Sequence, residues 1–257
     1  MRALRPSKVV RPILAVILAG CVGLPTPSPQ PLSPAGERLL VTLTRRWEGF
    51  ADLRTQAEIT IARGSRVERL SGVLLLKAPD SVRFEALSPW GQPFLLVTST
   101  SERFTLYQVA ENRAVVGPAS ARTTERWLGA ALEPRELVGV LSGHILPMTE
   151  SKTATLLPPD DLGPSLRLAG AASVQRIWLN PETAVVRQVE WSKGRSRIRI
   201  IYADGSPLGP PSSLTLRAFN RPLAVTIRYR NPQVGVGLTA DLFTLTLPDH
   251  ARVQQFR

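Results

Sequence analysis

The chain has 257 residues, a formal net charge of +12, 43% hydrophobic residues and one cysteine. This length suits one large domain with a sizeable core, and a single cysteine excludes an internal disulfide. Only four of the 32 basic residues are lysines, a bias expected from a GC-rich genome, so the positive charge does not by itself indicate a nucleic-acid partner.

Residues 1–20 have the three parts of a secretory signal peptide. Four basic residues and no acidic ones come first, the apolar stretch 13–18 follows, and small residues lead to Cys21. The stretch is too short to span a bilayer, which takes about 20 apolar residues. The sequence Leu18-Ala19-Gly20-Cys21 resembles the bacterial lipobox, which implies cleavage before Cys21 and acylation of its thiol and its new amino group. The alternative is an ordinary signal peptide followed by a lone buried cysteine.

Residues 21–35 are predicted to be the lipidated cysteine and a flexible, uncharged tether rich in Pro and Ser. Cleavage removes 20 of the 257 residues and four positive charges, which leaves 237 residues and a net charge of +8. By the enterobacterial sorting rule Val22, in place of an Asp, favours the outer membrane, with the protein facing the periplasm. Because an anchored chain of this kind does not meet nucleic acid, we exclude that partner.

Residues 36–257 are predicted to form one domain, beginning with an amphipathic helix over 37–50. From Leu53 onward the apolar period changes to two, which indicates strands joined by short turns. Two helices, 122–132 and 134–141, interrupt them. The predicted strands are 53–61, 67–77, 81–87, 92–98, 103–108, 113–116, 153–157, 166–168, 174–179, 184–191, 195–202, 213–218, 223–230 and 242–247.

Strands 195–202 and 223–230 alternate apolar residues with arginines, which is typical of antiparallel strands with one dry face and one wet face. A dozen such strands in sequence must curl or close. The expected fold is therefore mainly β with a few helices: an antiparallel, strongly curved half-barrel of about 11 strands, with an N-terminal helix and a helical lid.

From about Ser81 the order of features resembles the LolA/LolB family of periplasmic lipoprotein carriers and outer-membrane acceptors. A strand leads into Ser88-Pro89-Trp90-Gly91, where acceptors have an Asn/Gly-Pro-Leu-Gly turn, and the later helix pair ends in Leu-Ser-Gly. The acceptor, LolB, is the closer match over residues 37–230. The C-terminal Phe243-x-Leu245-x-x-Pro248 is instead closer to the carriers.

The resemblance implies a monomer anchored in the membrane by its acyl chains, which binds acyl chains of lipoproteins or lipids and receives lipoproteins from a LolA-like carrier. It also implies a membrane or cargo role for the loop Pro89, Trp90 and Gly91. The alternative is that Trp90 folds back onto the barrel. The rival function is a non-catalytic accessory of an envelope assembly, with a filled barrel that binds a protein partner.

The apolar inner face either packs as a core or leaves a cavity for acyl chains, and both use the same residues. With the resemblance, helices 122–132 and 134–141 become the expected lid. The candidate cavity-lining residues are Ile59, Phe84, Leu96, Phe104, Leu128, Leu137, Trp178, Trp191, Ile200 and Ile227.

The sequence does not favour an enzyme. The two histidines, His144 and His250, have no partners at metal-ligand or triad spacing, and Gly235-Val236-Gly237 lacks the strand-helix context of a nucleotide loop. We interpret Asp160 and Asp161 as solvated loop acids. We therefore expect no catalytic residue, no metal and no cofactor, with an anchored hydrolase as the least favoured alternative.

Overall fold

The computed structural model describes residues 33–148, 151, 153–206 and 209–256. The predicted signal peptide, Cys21 and most of the tether lie outside the described residues. The helices are α1 (Pro34–Glu48), α2 (Ala121–Leu128) and α3 (Pro134–Ser142), with a 3-10 helix at Ala240–Phe243. The strands are β1 (Asp52–Arg63), β2 (Arg66–Lys77), β3 (Ser81–Leu87), β4 (Pro93–Ser99), β5 (Arg103–Gln108), β6 (Arg113–Pro118), β7 (Thr153–Asp160), β8 (Gly163–Ala169), β9 (Ser173–Leu179), β10 (Val186–Lys193), β11 (Ser196–Ala203), β12 (Ser213–Ala218), β13 (Leu223–Val234) and β14 (Arg252–Gln255).

In the part of the chain described, one curved sheet of 14 strands has the order β14-β6-β5-β4-β3-β2-β1-β13-β12-β11-β10-β9-β8-β7. Neighbours are antiparallel, except that β14 lies parallel to β6. The sheet is open, with β14 and β7 at its edges, which agrees with the mainly β half-barrel. The expected number of about 11 strands was too low, because 13 of the 14 segments predicted as extended join this sheet and residues 252–255 add β14.

Helix α1 fills the concave face of one half of the sheet. Ser33 caps it by accepting a hydrogen bond from the Gly36 amide (3.2 Å), and its apolar side chains are buried. Arg46 ties its C-terminal end to the carbonyl oxygens of Thr183 (3.2 Å) and Ser206 (3.1 Å), in the loops after β9 and β11. The half formed by β7–β11 is therefore a packed core. Its buried members on α1 and these strands include Leu39, Leu43, Trp47, Leu166, Leu168, Ile177, Val189 and Ile198.

Helix α3 is buried in the concave face, where it packs on β2 and β3. Seven of its nine residues are buried, and two tyrosine hydroxyls bind the carbonyl oxygens at its C-terminal end, where a helix lacks internal partners. Tyr202 donates to Val140 (3.1 Å) and Tyr229 donates to Leu141 (2.7 Å). Both middle helices therefore border the concave face, as predicted for a lid, but α3 differs from that prediction because it is itself buried. Helix α2, by contrast, buries only Thr123 and Thr124.

Residues 235–256, which we call the C-terminal strap, cover the convex face of β2–β6. The Asp52 carboxylate accepts hydrogen bonds from the amides of Val236 (2.8 Å), Gly237 (3.0 Å) and Leu238 (3.1 Å), which fixes the beginning of the strap to β1. Phe243 is then buried against Leu75. The strap continues over the convex side of β4–β6 and ends as β14 beside β6. The predicted strand 242–247 is wrong: these residues leave the 3-10 helix and lie across the sheet, outside its ladder.

Candidate functional site: an apolar cavity beneath α2

A cavity of about 460 Å³ lies between the concave face of β1–β6, β12 and β13 and the inner sides of α2 and α3. It falls within the range of about 300–1,000 Å³ that is usual for small-molecule sites. Its wall is almost entirely aliphatic and aromatic, and its inner part includes Leu74, Val82, Val97, Leu106 and Val225. The concave face is therefore divided: the β7–β11 half is packed by α1, whereas the other half encloses open apolar space.

Helix α2 crosses the open side of this cavity. It follows β6, with Ser120 as its N-cap, and ends at Gly129, whose φ of 74° is the left-handed conformation that favours glycine. At its C-terminal end, Arg221 donates to the Glu125 carbonyl (2.6 Å) and Arg63 donates to the Trp127 carbonyl (3.4 Å). The helix therefore bridges the β6 edge and the β1 and β13 side, with few buried residues to hold it.

Six of the ten candidate residues line this cavity. The alternation of β1, β3, β5 and β13 turns four of them to the concave face, and α2 and α3 supply one each. These residues are Ile59, Phe84, Phe104, Leu128, Leu137 and Ile227.

The other four candidates do not line the cavity, so their assignment is corrected. Leu96 points to the convex face, where it packs with the strap, and its neighbour Leu95 takes the concave position. Trp178 lies between Ile177 and Leu179, which both belong to the concave core, so it points to the other face of β9. There its indole N–H donates to Asp160 (2.9 Å). Trp191 and Ile200 lie on the concave face but in the packed half.

A polar rim borders the cavity near the ends of β1, β2, β5 and β6. Arg63 Nη1 lies 3.6 Å from Glu68 Oε2, and Arg113 Nη2 donates to Gln108 Oε1 at 3.0 Å. All four side chains also line the cavity. The β3–β4 turn, residues 88–92, lies at the same end of the strands, because the residue paired with Gln108 is only two positions inside β4.

The β3–β4 turn carries Trp90 into solvent. The Gly91 amide donates to the Ser88 carbonyl (2.9 Å), and Gly91 has a φ of 79°, the pattern of a type I turn followed by a left-handed glycine. Pro89 suits the second position of this turn. Trp90 is 86% exposed, so it does not fold back onto the barrel. Phe94, at the beginning of β4, is also exposed.

Sequence reasoning missed Trp127 as a lining residue. It sits on α2 beside Leu128, and its ring stacks on Phe104 with centroids 6.0 Å apart and planes at 24°. Its indole Nε1 is buried and has no hydrogen-bond partner. The available signal was a large aromatic residue directly next to a candidate lining residue on a short amphipathic helix.

Two of the titratable groups singled out in the sequence, His144 and Asp160, have structural partners. His144 stacks on Phe50 (4.9 Å), and burial, with Arg46 nearby, lowers the pKa of its imidazole to about 4. Asp160 ends β7 instead of lying in a loop. The indole N–H of Trp178 and the guanidinium of Arg176 lower the pKa of its carboxyl.

Among the described residues, no group of three or more His, Cys, Asp or Glu side chains could hold a metal ion. Nor, over the same residues, is any helix long and apolar enough to cross a membrane. The Gly235-Val236-Gly237 segment does bind an anionic group through its amides, but that group is the Asp52 carboxylate of the same chain.

No protein-family model matches the sequence, and no curated protein matches it significantly. Solved structures do match its fold. A DUF1329 family protein from Desulfovibrio piger has a TM-score of 0.58 at 14% identity, over 82% of this chain and 98% of its own. An outer membrane lipoprotein-sorting protein domain from Vibrio parahaemolyticus has a TM-score of 0.57 at 14% identity, over 81% and 95%, and a LolA superfamily protein from Nitrosomonas europaea has 0.55 at 12%, over 82% and 97%. The fold is LolA-like.

The structural matches agree with the sequence resemblance at the level of the fold. The three matched chains are covered almost completely, at 95% to 98% of their lengths. At 12% to 14% identity the shared property is the architecture, a curved sheet with helices on its concave face. Nothing in these matches distinguishes an acceptor from a carrier.

Proposed function

We propose that this protein is a bacterial envelope lipoprotein, anchored in the outer membrane through Cys21, that binds acyl chains in the cavity beneath α2. In its most specific form, it accepts lipoproteins from a periplasmic carrier and delivers them to the membrane. The observation that carries this proposal is the apolar cavity of about 460 Å³, covered by a helix with few buried contacts.

The chemistry of the cavity supports hydrocarbon as its ligand. Inside the polar rim, its wall offers almost no group that could compensate a buried charge, and such burial is costly. An acyl chain, by contrast, gains free energy in proportion to the apolar area that it removes from water. Transfer would need no cofactor and no covalent step, because the chain moves toward the site that binds it more tightly.

Trp90 supports a location next to a bilayer. Trp prefers the membrane interface, where its apolar ring and its N–H group are both accommodated. In this chain Trp90 lies at the same end of the strands as the polar rim. A tether of about a dozen residues, at roughly 3 Å each when extended, would let the domain reach the surface.

The second candidate function is an envelope accessory that docks a protein partner on its arginine-rich convex face. The observation that favours it is a row of arginines on β11 and β13, in which Arg197 and Arg199 lie within 5.0 Å and 5.3 Å of the Phe219 ring and Arg199 also pairs with Glu190. This candidate assumed a filled barrel, and the cavity weighs against that assumption. We propose that neither function is enzymatic and that the protein acts as a monomer.

The direct test uses the soluble Cys21→Ala protein with a hydrophobic fluorescent dye and a lipopeptide competitor. Saturable dye binding that the lipopeptide displaces is expected if acyl chains occupy the cavity. No binding of either would instead favour the accessory function.

Depleting the protein from cells and fractionating the other lipoproteins tests the acceptor role. We expect the other lipoproteins to be lost from the outer-membrane fraction and to accumulate in the remaining fractions, unless a second acceptor serves the same cargo. That case is resolved by depleting both.

A further inference from the structure

The pairing register sorts the turns between strands into two groups, one at each end of the sheet. Arg63 pairs with Arg66 across the β1–β2 turn, and on the other side of β1 it pairs with Leu223, which begins β13. Because sequential strands are antiparallel, alternate turns come together at the same end. The end that carries Trp90, which we call the Trp90 end, is formed by the turns β1–β2, β3–β4, β5–β6, β8–β9, β10–β11 and β12–β13.

The two ends of the sheet carry opposite charges. At the Trp90 end the described turns and the strand residues beside them carry, with Glu111 as their only acid, the cations Arg63, Arg66, Arg113, Lys193, Arg195 and Arg221. At the opposite end the corresponding residues are the bases Lys77 and Arg103 and the acids Asp80, Glu102, Asp160, Asp161, Glu182 and Asp204. The Trp90 end is therefore strongly positive, and the opposite end is negative.

Much of the positive charge at the Trp90 end is open to a partner. Two of the cations share one acid, because Glu68 lies 3.6 Å from Arg63 and 2.8 Å from Arg66. The Arg66 side chain is nevertheless 78% exposed. Arg195 is exposed as well, and in the described part of the chain no acidic side chain pairs with it. The ion pairs at this end thus leave a net positive surface.

Two exposed aromatic rings share this end, Trp90 in the β3–β4 turn and Phe219 in the β12–β13 turn. Aromatic rings prefer the membrane interface, and anionic headgroups attract arginine and lysine. The cations lie on separate turns and do not converge on one pocket, which suits many headgroups on a flat surface rather than one bound anion. The chemistry of the Trp90 end therefore complements that of an anionic bilayer.

We propose that the Trp90 end docks on an anionic lipid bilayer, with its arginines at the lipid phosphates and its two rings in the interface. The same surface repels the acidic opposite end, so the charge difference also sets the orientation of the domain. This orientation brings the polar rim of the cavity to the bilayer, because the rim lies at the Trp90 end. The inference rests on the proposed location at a membrane and adds the lipid class and the side that faces it.

The first test is co-sedimentation of the soluble Cys21→Ala protein with vesicles of phosphatidylcholine alone, or of equal parts phosphatidylcholine and phosphatidylglycerol. We expect partitioning onto the anionic vesicles to be tighter by about tenfold or more. This preference should disappear at about 1 M NaCl, where charges are screened within about 3 Å.

Charge reversal at the two ends gives a matched pair of variants. Arg66→Glu combined with Arg195→Glu should remove most of the preference for anionic vesicles. Arg54→Glu combined with Arg103→Glu makes the same change in charge at exposed positions of the opposite end, and it should keep the preference. Neither Arg66 nor Arg195 lines the cavity, so their double variant should bind the hydrophobic dye like the parent protein.

A fluorescent label tests the orientation directly. Cys21 is the only cysteine, so the Cys21→Ala protein can carry a single new one. Ser65→Cys in the β1–β2 turn and Ser101→Cys in the β4–β5 turn place an environment-sensitive fluorophore at exposed sites on the two ends. On anionic vesicles the emission of the label at position 65 should shift to the blue, and that of the label at position 101 should not.

Equal partitioning onto the two kinds of vesicle would overturn the proposal. Equal weakening by the two double variants would also overturn it, because net charge and not the Trp90 end would then decide binding. A blue shift at position 101 alone would mean the reverse orientation and contradict the proposal. Unchanged vesicle binding by the Arg66 and Arg195 double variant would overturn it too and leave these arginines to a protein partner. In each case, normal dye binding would leave the proposed acyl-binding function intact.

Discussion

At the scale of single residues, Trp90 is the most exposed aromatic side chain described in the chain, at 86%. Its turn is held by the Gly91 amide bonded to Ser88 and by the left-handed glycine, so the ring is presented by the backbone and makes little contact of its own. A substitution at this position should therefore alter surface chemistry without affecting the fold.

We expect Trp90→Glu to weaken partitioning of the soluble protein onto lipid vesicles by about tenfold or more, because it replaces an interfacial aromatic ring with a charge. Vesicle co-sedimentation measures this. Val234→Glu, at an exposed position that pairs with Leu53 at the opposite end of the strands, adds the same charge elsewhere and should partition like the parent protein. Equal partitioning of Trp90→Glu and the parent protein would refute a membrane role for this turn.

His144 should make the fold sensitive to acid. Burial, aided by Arg46, holds its pKa at about 4, below the ordinary value of 6.5. Between these values the unfolded chain binds more protons than the folded one. The contribution of His144 to the free energy of unfolding is therefore fully present above about pH 6.5 and is lost as the pH decreases toward 4. The full effect is about 3 kcal/mol, from 1.36 kcal/mol per pKa unit.

His144→Phe keeps the ring that stacks on Phe50 and removes the titration. In urea unfolding at pH 4.5 and pH 7.5, this variant should lose less stability on acidification than the parent protein. His250→Gln, at an exposed position in the strap, should behave like the parent. An unchanged acid response in His144→Phe would assign the effect to other groups.

Predictions for single residues were right in strands that alternate apolar and polar residues, and wrong in a strand that does not. On β11 and β13 the arginines mark the wet face, so the burial of Ile198, Ile200 and Ile227 followed from the pattern. The run Phe94-Leu95-Leu96-Val97 is apolar throughout, because the strap covers the other face of β4. Without a polar marker, the sequence does not indicate which leucine faces the cavity.

At the scale of elements, the strap depends on its attachment at Asp52. This carboxylate is buried and accepts three amide hydrogen bonds, and bonds to a charged acceptor are about twice as strong as neutral ones. The attachment holds the chain that continues to Phe243 and β14. Weakening it should release the strap locally and leave the rest of the sheet folded.

We expect Asp52→Asn to speed tryptic cleavage after Arg252, an exposed residue of β14, by about tenfold. The expected loss is about 1.5 kcal/mol, and cleavage rates follow the population of the opened form. Mass spectrometry of timed digests measures it. Asp249→Asn, at an exposed position of the same strap, should digest like the parent. Equal rates for Asp52→Asn and the parent would mean that other contacts hold the strap.

The strap also shows what an apolar period can and cannot predict. The period of two in 243–247 is real, since Phe243, Leu245 and Leu247 all pack toward the sheet. Period alone does not reveal whether an extended segment pairs within a sheet or lies across it. The short, polar segment 252–255 has no apolar alternation, so the sequence did not predict the parallel pairing that makes it β14.

At the scale of the whole molecule, the division of the concave face separates stability from binding. The β7–β11 half, filled by α1, provides a packed core, and the cavity lies over β1–β6, β12 and β13 beneath α2 and α3. A larger side chain in the cavity should occupy ligand space without disturbing the packed half.

We expect Val97→Phe to weaken dye and lipid binding by about tenfold or more, while the free energy of unfolding stays within about 1 kcal/mol of the parent value. Dye titration and urea unfolding measure the two effects. Val67→Phe, at an exposed site outside the cavity, should change neither. Normal binding by Val97→Phe would place the ligand elsewhere.

Because one half of the concave face encloses an open cavity, the melting temperature of the protein should report whether a ligand occupies that cavity. A ligand that binds only the folded state adds RT ln(1 + [L]/Kd) to the free energy of unfolding, or about 2.7 kcal/mol at one hundred times Kd. The melting temperature of the purified protein should therefore rise with each lipid in order of affinity. A panel of envelope lipids, screened by heat alone and without any label, would rank its cargo.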